Sequence, residues 1–273
     1  MLKTLHGISV NHSNVLTQVR IAHETGYDAV EFLHSQLLRY LDNGGTTKAL
    51  KDTVDGYGLK TACLNALIDI ERHGEEKQAL LRDAERLTSV AAELACPTIQ
   101  ILAQHGIDHE SDDVVMDIMT ENIADIADIG LKYGVRYQIE VIAHTKFNTI
   151  DQALEVIRRI NKGNVGLVMD FWHMYATGKT TPDDVAKLDK SLIYGVHFCD
   201  GRRPYPGEAW NESVQRAYMP GEGNIDVQAY TDAVKSTGFD GSWSTELFSP
   251  KYWEYDLVDV ARLCYENLTK YTG

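Results

Sequence analysis

The sequence predicts an α/β fold, a single (β/α)8 (TIM) barrel over residues 1–273. Three observations predict it: short β-rich segments recur eight times, amphipathic helical stretches fill the gaps between them, and no Pro/Ser-rich linker or low-complexity segment divides the chain. Strands that alternate with helices form parallel sheets, and eight such units in about 250 residues are the signature of a closed barrel. At 273 residues and 44% hydrophobic, the chain can fill a large core. A doubly wound open sheet is the alternative.

In order, the strand segments are 5–10 (LHGISV), 28–32 (DAVEF), 59–64 (LKTACL), 98–102 (TIQIL), 136–141 (RYQIEV), 165–170 (VGLVMD), 193–198 (IYGVHF) and 242–247 (SWSTEL). They are short, rich in β-branched and aromatic residues, and bounded by turn formers. Between the third and fourth, residues 75–95 repeat apolar positions at Leu80, Leu81, Ala84, Leu87, Val90, Ala91 and Leu94, one buried helical face. Pro97 stops that helix before the next strand. The stretch 114–134 is amphipathic and ends at Gly134, where a left-handed cap is expected. Residues 149–163 and 255–271 read the same way. The longest strand-free stretch, 199–225, contains GRRPYPGEAW and MPGEGN, and a loop of that length in a compact barrel is usually functional or mobile. In it, Gly221 and Gly223 shape a turn into a helix capped by Asp226, or by Asn224 with the boundary shifted.

Composition narrows the function. Lys plus Arg number 26 against 40 Asp plus Glu, a formal net charge of -14, so the average field repels a phosphate backbone and no nucleic-acid partner is expected. The four cysteines, Cys63, Cys96, Cys199 and Cys264, form no CxxC pair, which fits reduced thiols in a cytoplasmic setting. No apolar run approaches the roughly 20 residues that cross a bilayer, and no secretory leader is visible. No membrane partner is expected.

In barrels of this type the active site lies at the carboxyl ends of the strands. The fifth strand ends with Glu140, the sixth with Asp170, the seventh with His197 and the eighth with Glu246. Each residue alone has an ordinary reading: a strand-end glutamate is usually solvated, Asp170 could cap the helix that follows, and His197 could be a hydrogen-bonded core histidine. Four neighbouring strands delivering ligand types at one level point instead to a divalent metal site. Three carboxylates and an imidazole suit Mn²⁺, Mg²⁺ or Co²⁺, with Zn²⁺ also open. Uncompensated carboxylates so close would repel each other strongly.

The motifs YQIEV, VGLVMDFWH, VHFCD followed by Arg203, PGEGNID and STELF resemble the sugar isomerase/epimerase superfamily of xylose-isomerase-like TIM barrels. LNALID (64–69), NVGLVMDFWHMYATG (164–178), MPGEGNIDVQAY (219–230) and ELFSPKYW (246–253) are most similar to the 2-keto-myo-inositol (inosose) isomerases within it. The likeness runs from GYDAVEF onward over nearly the whole chain. It implies that Glu140, Asp170, His197 and Glu246 hold one divalent cation, usually manganese, and that Glu140 and Glu246 are also the proton-transfer pair. It implies that His173, in the pattern D-x-x-H after Asp170, contacts substrate oxygens, as does Arg203, six residues after His197; Arg202 could share that role. Where ketohexose epimerases carry a second glutamate six residues after the first, this chain has Lys146 after Glu140, which counts against a simple ketohexose 3-epimerase.

In the first half, Glu31, Asn65 and His105 fall at or just beyond strand ends and are candidate hydroxyl-binding groups, with His6, His12 and His34 weaker; Trp172 is a candidate apolar wall for a sugar or cyclitol ring. The expected protein is therefore a metal-dependent isomerase or epimerase of a small polyhydroxy ketone such as 2-keto-myo-inositol, by proton transfer through a metal-bound enediolate. Alternatives are an inosose-type dehydratase on the same scaffold, a ketose or hydroxypyruvate-type isomerase, a metallo-endonuclease, and a non-catalytic sugar-binding barrel. By analogy with such barrels, a homo-oligomer is a further expectation.

Overall fold

In the computed structural model, which describes residues 1–273, eight parallel strands close into a barrel in the order β1 to β8. They are β1 Leu2–His6, β2 Ala29–Leu33, β3 Lys60–Leu67, β4 Thr98–Leu102, β5 Arg136–Glu140, β6 Val165–Asp170, β7 Ile193–Phe198 and β8 Ser242–Thr245. The open sheet is excluded because β1 pairs with β8 as well as β2. Seven strands fall on the predicted segments. The first is displaced: Gly7–Val10 forms a 3-10 turn, because the His6 ring accepts the Ile8 N–H at 3.0 Å and ends the strand there.

Helices cover the outside of the barrel, and one continuous apolar layer lies between them and the strands, built around Phe32, Tyr137, Phe171 and Trp243. Helix Lys77–Glu93 buries Leu80, Ala84, Leu87, Val90 and Ala91, whereas Leu81 is half-buried. Helix Asp112–Tyr133 ends at Gly134 in the left-handed conformation, and Thr149 with Gln152 forms a capping box that starts helix Ile150–Ile160. No helix is long and apolar enough to cross a membrane, and all four cysteines are buried and unpaired.

Inter-strand register levels the site. Leu102 pairs with Glu140, Asp170 with His197, His197 with Ser244, and His6 with Glu31. Strand residues so paired lie side by side, so polar groups far apart in sequence face one another across the barrel's interior.

Candidate metal and proton-transfer site

Glu140, Asp170, His197 and Glu246 converge: one ligand-type atom from each lies within 4.8 Å of all the others, and every one is buried. His197 Nδ1 stands at the centre, 3.1 Å from Glu140 Oε1, 3.2 Å from Glu246 Oε2 and 3.6 Å from Asp170 Oδ2. Asp170 is a helix cap and a member of the cluster at once. Its Oδ1 accepts the His173 N–H at 2.7 Å and caps helix Phe171–Thr177, while its Oδ2 faces the cluster.

Burial and mutual charge shift every group of the cluster. Burial, with the Glu246 and Asp170 charges beside it, pushes Glu140 up to about 8 despite His197. Burial acts the same way on Glu246 and Asp170, but Arg216 and His197 outweigh it and hold both below their ordinary values. His197 is raised well above the usual imidazole range, because the surrounding carboxylates overcome its own desolvation. Three buried acids and one imidazole form an oxygen-rich donor set that fits a divalent cation.

Sequence reading missed Arg216, which enters from the long segment after β7 and is only 3% exposed. Its Nη2 donates to Asp170 Oδ2 at 2.7 Å and to Glu246 Oε2, its Nη1 lies 3.0 Å from Glu212 Oε2, and its guanidinium sits 5.3 Å from the Trp172 ring centroid. It thus supplies positive charge to the acids. The two arginines that the resemblance offered for substrate binding lie elsewhere. Arg203 is exposed, stacked over Tyr175 and bonded to its carbonyl, and Arg202 makes a bidentate pair with Glu208 at 2.6 and 2.7 Å. The only sequence signal for Arg216 was its place four residues before Pro220 in the MPGEGN motif.

That motif is anchored by Asp200. Its carboxylate accepts the backbone N–H groups of Gly201, Gly221, Gly223 and Ile225, at 2.6 to 3.2 Å. Gly221 has φ +96, and a Cβ on Gly223 would collide with the Asp200 carboxylate, so both glycines are required by the turn. Asp226 then caps helix Val227–Ser236.

The remaining candidates separate into near and far. His173 is buried; its Nδ1 accepts the Ala143 N–H at 3.1 Å, so the neutral ring carries its proton on Nε2, which meets Arg216 Nη1 at 3.1 Å. Glu31 lies behind His197, with Oε1 3.2 Å from His197 Nε2 and Oε2 accepting from Ser244, and half-buried Asn65 donates to Glu31 at 3.4 Å. Trp172 is fully buried, its indole N–H bonded to the Arg202 carbonyl, and so underlies Arg216. His105 is exposed at the mouth, 2.7 Å from Asp108 and 5.1 Å from the His144 ring. The Lys146 ammonium turns away to the Glu110 carbonyl and Asp112.

A profile described as xylose isomerase-like TIM barrel matches residues 19–266. The chain belongs to that family. Among similar family proteins is the inosose isomerase of Bacillus licheniformis, 27% identical over 271 residues, covering 95% of this chain and 93% of that protein. A 3-dehydroshikimate dehydratase of Pseudomonas aeruginosa is 24% identical over 82% of this chain and 34% of its own length. The solved structure described as IOLI protein with a binding zinc atom superposes with a TM-score of 0.91 at 22% identity, covering 100% of this chain and 98% of the other.

Proposed function

We propose that the chain is a divalent-metal-dependent isomerase or epimerase of a small polyhydroxy ketone, with 2-keto-myo-inositol as the specific substrate and Mn²⁺ as the preferred cation. The observation that carries this reading is the convergence of Glu140 and Glu246 on one buried point together with Asp170 and His197. The inosose isomerases among its relatives support the substrate.

Glu140, Asp170, His197 and Glu246 would hold the cation. When bound, it supplies the positive charge that stabilises negative charge developing on a ketone oxygen. The rest of the chemistry belongs to the chain. A proton must leave the carbon beside the ketone and one must be returned at the adjacent carbon, and Glu140 and Glu246 are the pair placed to move it. Arg216 and His197 keep Glu246 ionised against the cost of burial, so it is the base, and Glu140, which converges on the same point, is its partner in proton transfer. His173 Nε2 lies 3.1 Å from Arg216 Nη1, which also donates to Glu212 Oε2, so this pair beside the acids is the candidate contact for a substrate oxygen. The buried surroundings exclude water from these groups, which strengthens every such interaction.

Activity on 2-keto-myo-inositol is expected to vanish on chelation and return with Mn²⁺. Full turnover by a preparation shown by elemental analysis to be metal-free would defeat the reading. The dehydratase among the relatives favours one alternative, in which the same proton removal is followed by loss of a β-hydroxyl as water. Formation of a conjugated enone absorbs in the ultraviolet and distinguishes it from isomerisation.

A further inference from the structure

The first half of the barrel contributes no member of the ligand set, yet three of its strands place a buried polar side chain directly behind one. Gln100 of β4 donates to Glu140 Oε2 at 2.8 Å and is itself held by Gln138 at 3.2 Å. His6 of β1 points Nε2 at Glu246 Oε1, 3.6 Å away, and at Glu31 Oε1, 3.5 Å away. Because His6 Nδ1 accepts the Ile8 N–H, its neutral ring carries the proton on Nε2, directed at those two carboxylates, and Nε2 has no closer partner. Glu31 of β2 lies 3.2 Å from His197 Nε2, on the side of the ring opposite the three acids.

We propose that Glu31 is a positioning residue that fixes His197 as an Nδ1 metal ligand, with Ser244, Asn65 and His6 holding the Glu31 carboxylate in place. This rests on the metal site proposed above. Once the cation displaces the Nδ1 proton, a ring whose Nε2–H is committed to a carboxylate presents the Nδ1 lone pair to it, in an orientation set beforehand. Glu31 is suited to this and not to substrate binding: it is 2% exposed, and both its oxygens are engaged by His197, Asn65 and Ser244. Its hydrogen bond spans 166 residues of sequence, across the barrel interior.

The test measures Mn²⁺ affinity by calorimetry for the wild type, Glu31→Ala and Glu31→Gln, with circular dichroism to confirm folding. Imidazole ¹⁵N NMR of the Zn²⁺-loaded proteins reports which His197 nitrogen bears the proton. The wild type is expected to show a protonated, hydrogen-bonded Nε2. Glu31→Ala weakens Mn²⁺ about 10- to 100-fold and changes that signal. Glu31→Gln, which keeps an acceptor oxygen, recovers most of both; a merely structural role would leave the tautomer signal unmoved. Wild-type binding with unchanged affinity and tautomer in Glu31→Ala overturns the assignment of Glu31 alone. A wild type that binds no Mn²⁺ overturns the metal site itself, so the two failures are distinguishable.

Discussion

Strands β5 to β8 and strands β1 to β4 form the same architecture but contribute differently to the site. The second half places Glu140 and Asp170 at the ends of β5 and β6, His197 one residue before the end of β7 and Glu246 one residue past β8, each reaching one cluster. The first half supplies Gln100, Glu31 and His6, which touch or face those residues from behind. The barrel thus divides its labour between groups that hold charge and groups that hold those groups. Exposure follows the same division at the rim, where His105 lies in water beside Asp108.

If that division is right, the largest effect comes from the second half. Glu246→Gln and Glu140→Gln should each lower kcat by about 10²- to 10⁴-fold with little change in the circular dichroism spectrum. A loss below tenfold would remove either residue from proton transfer. Arg216→Met comes next. In the metal-free protein it leaves Asp170 and Glu246 buried without their counter-charge, so unfolding by urea should show a loss of about 3–5 kcal/mol. Saturating Mn²⁺ should restore much of that loss by placing positive charge in the same location; equal destabilisation with and without the cation would contradict the picture of acids awaiting charge.

A smaller effect is expected on pH dependence. In the metal-free fold Glu140 stays protonated up to about 8, whereas the unfolded chain ionises it near 4.5. The unfolded state therefore binds fewer protons in that window, and stability falls as pH rises. Between about 6.5 and 8 the opposite contribution of His6 and His173, lowered by burial from 6.5, has faded, while His197, raised well above the usual imidazole range, adds a loss of the same sign. The slope from Glu140 alone is at most about 1.4 kcal/mol per pH unit, and Glu140→Gln should make the total slope shallower by up to that amount while the His197 part remains. An unchanged slope in that variant would place the proton elsewhere. The smallest effect belongs to the rim: His105→Ala should change stability by no more than about 0.5 kcal/mol and leave Mn²⁺ affinity unchanged.

What could be read from the sequence follows the same physical line. Asp170 and Glu246 were legible because a charge closing an apolar run stands out against burial, and strand periodicity then fixes its face. Gly221, Gly223 and Asp226 were legible as turn and cap because local backbone chemistry determines them. Arg216 was not, since it lies in an aperiodic segment and its partners are 30 and 46 residues distant in sequence. Gln100 was hidden in the apolar run TIQIL, where nothing local shows that its amide meets Glu140. Glu31 was visible as a strand-end acid, but whether it faced substrate or His197 depended on barrel closure.

The central claim is that Glu246, opposed to Glu140 across a buried cation site, takes a proton from carbon beside a ketone. Proton NMR of 2-keto-myo-inositol in D₂O with Mn²⁺ tests this without depending on any product assay. Wild-type protein should wash deuterium into the position next to the carbonyl, and Glu246→Gln, folded and binding Mn²⁺, should not. Undiminished exchange in that variant, or none in the wild type, would contradict the account.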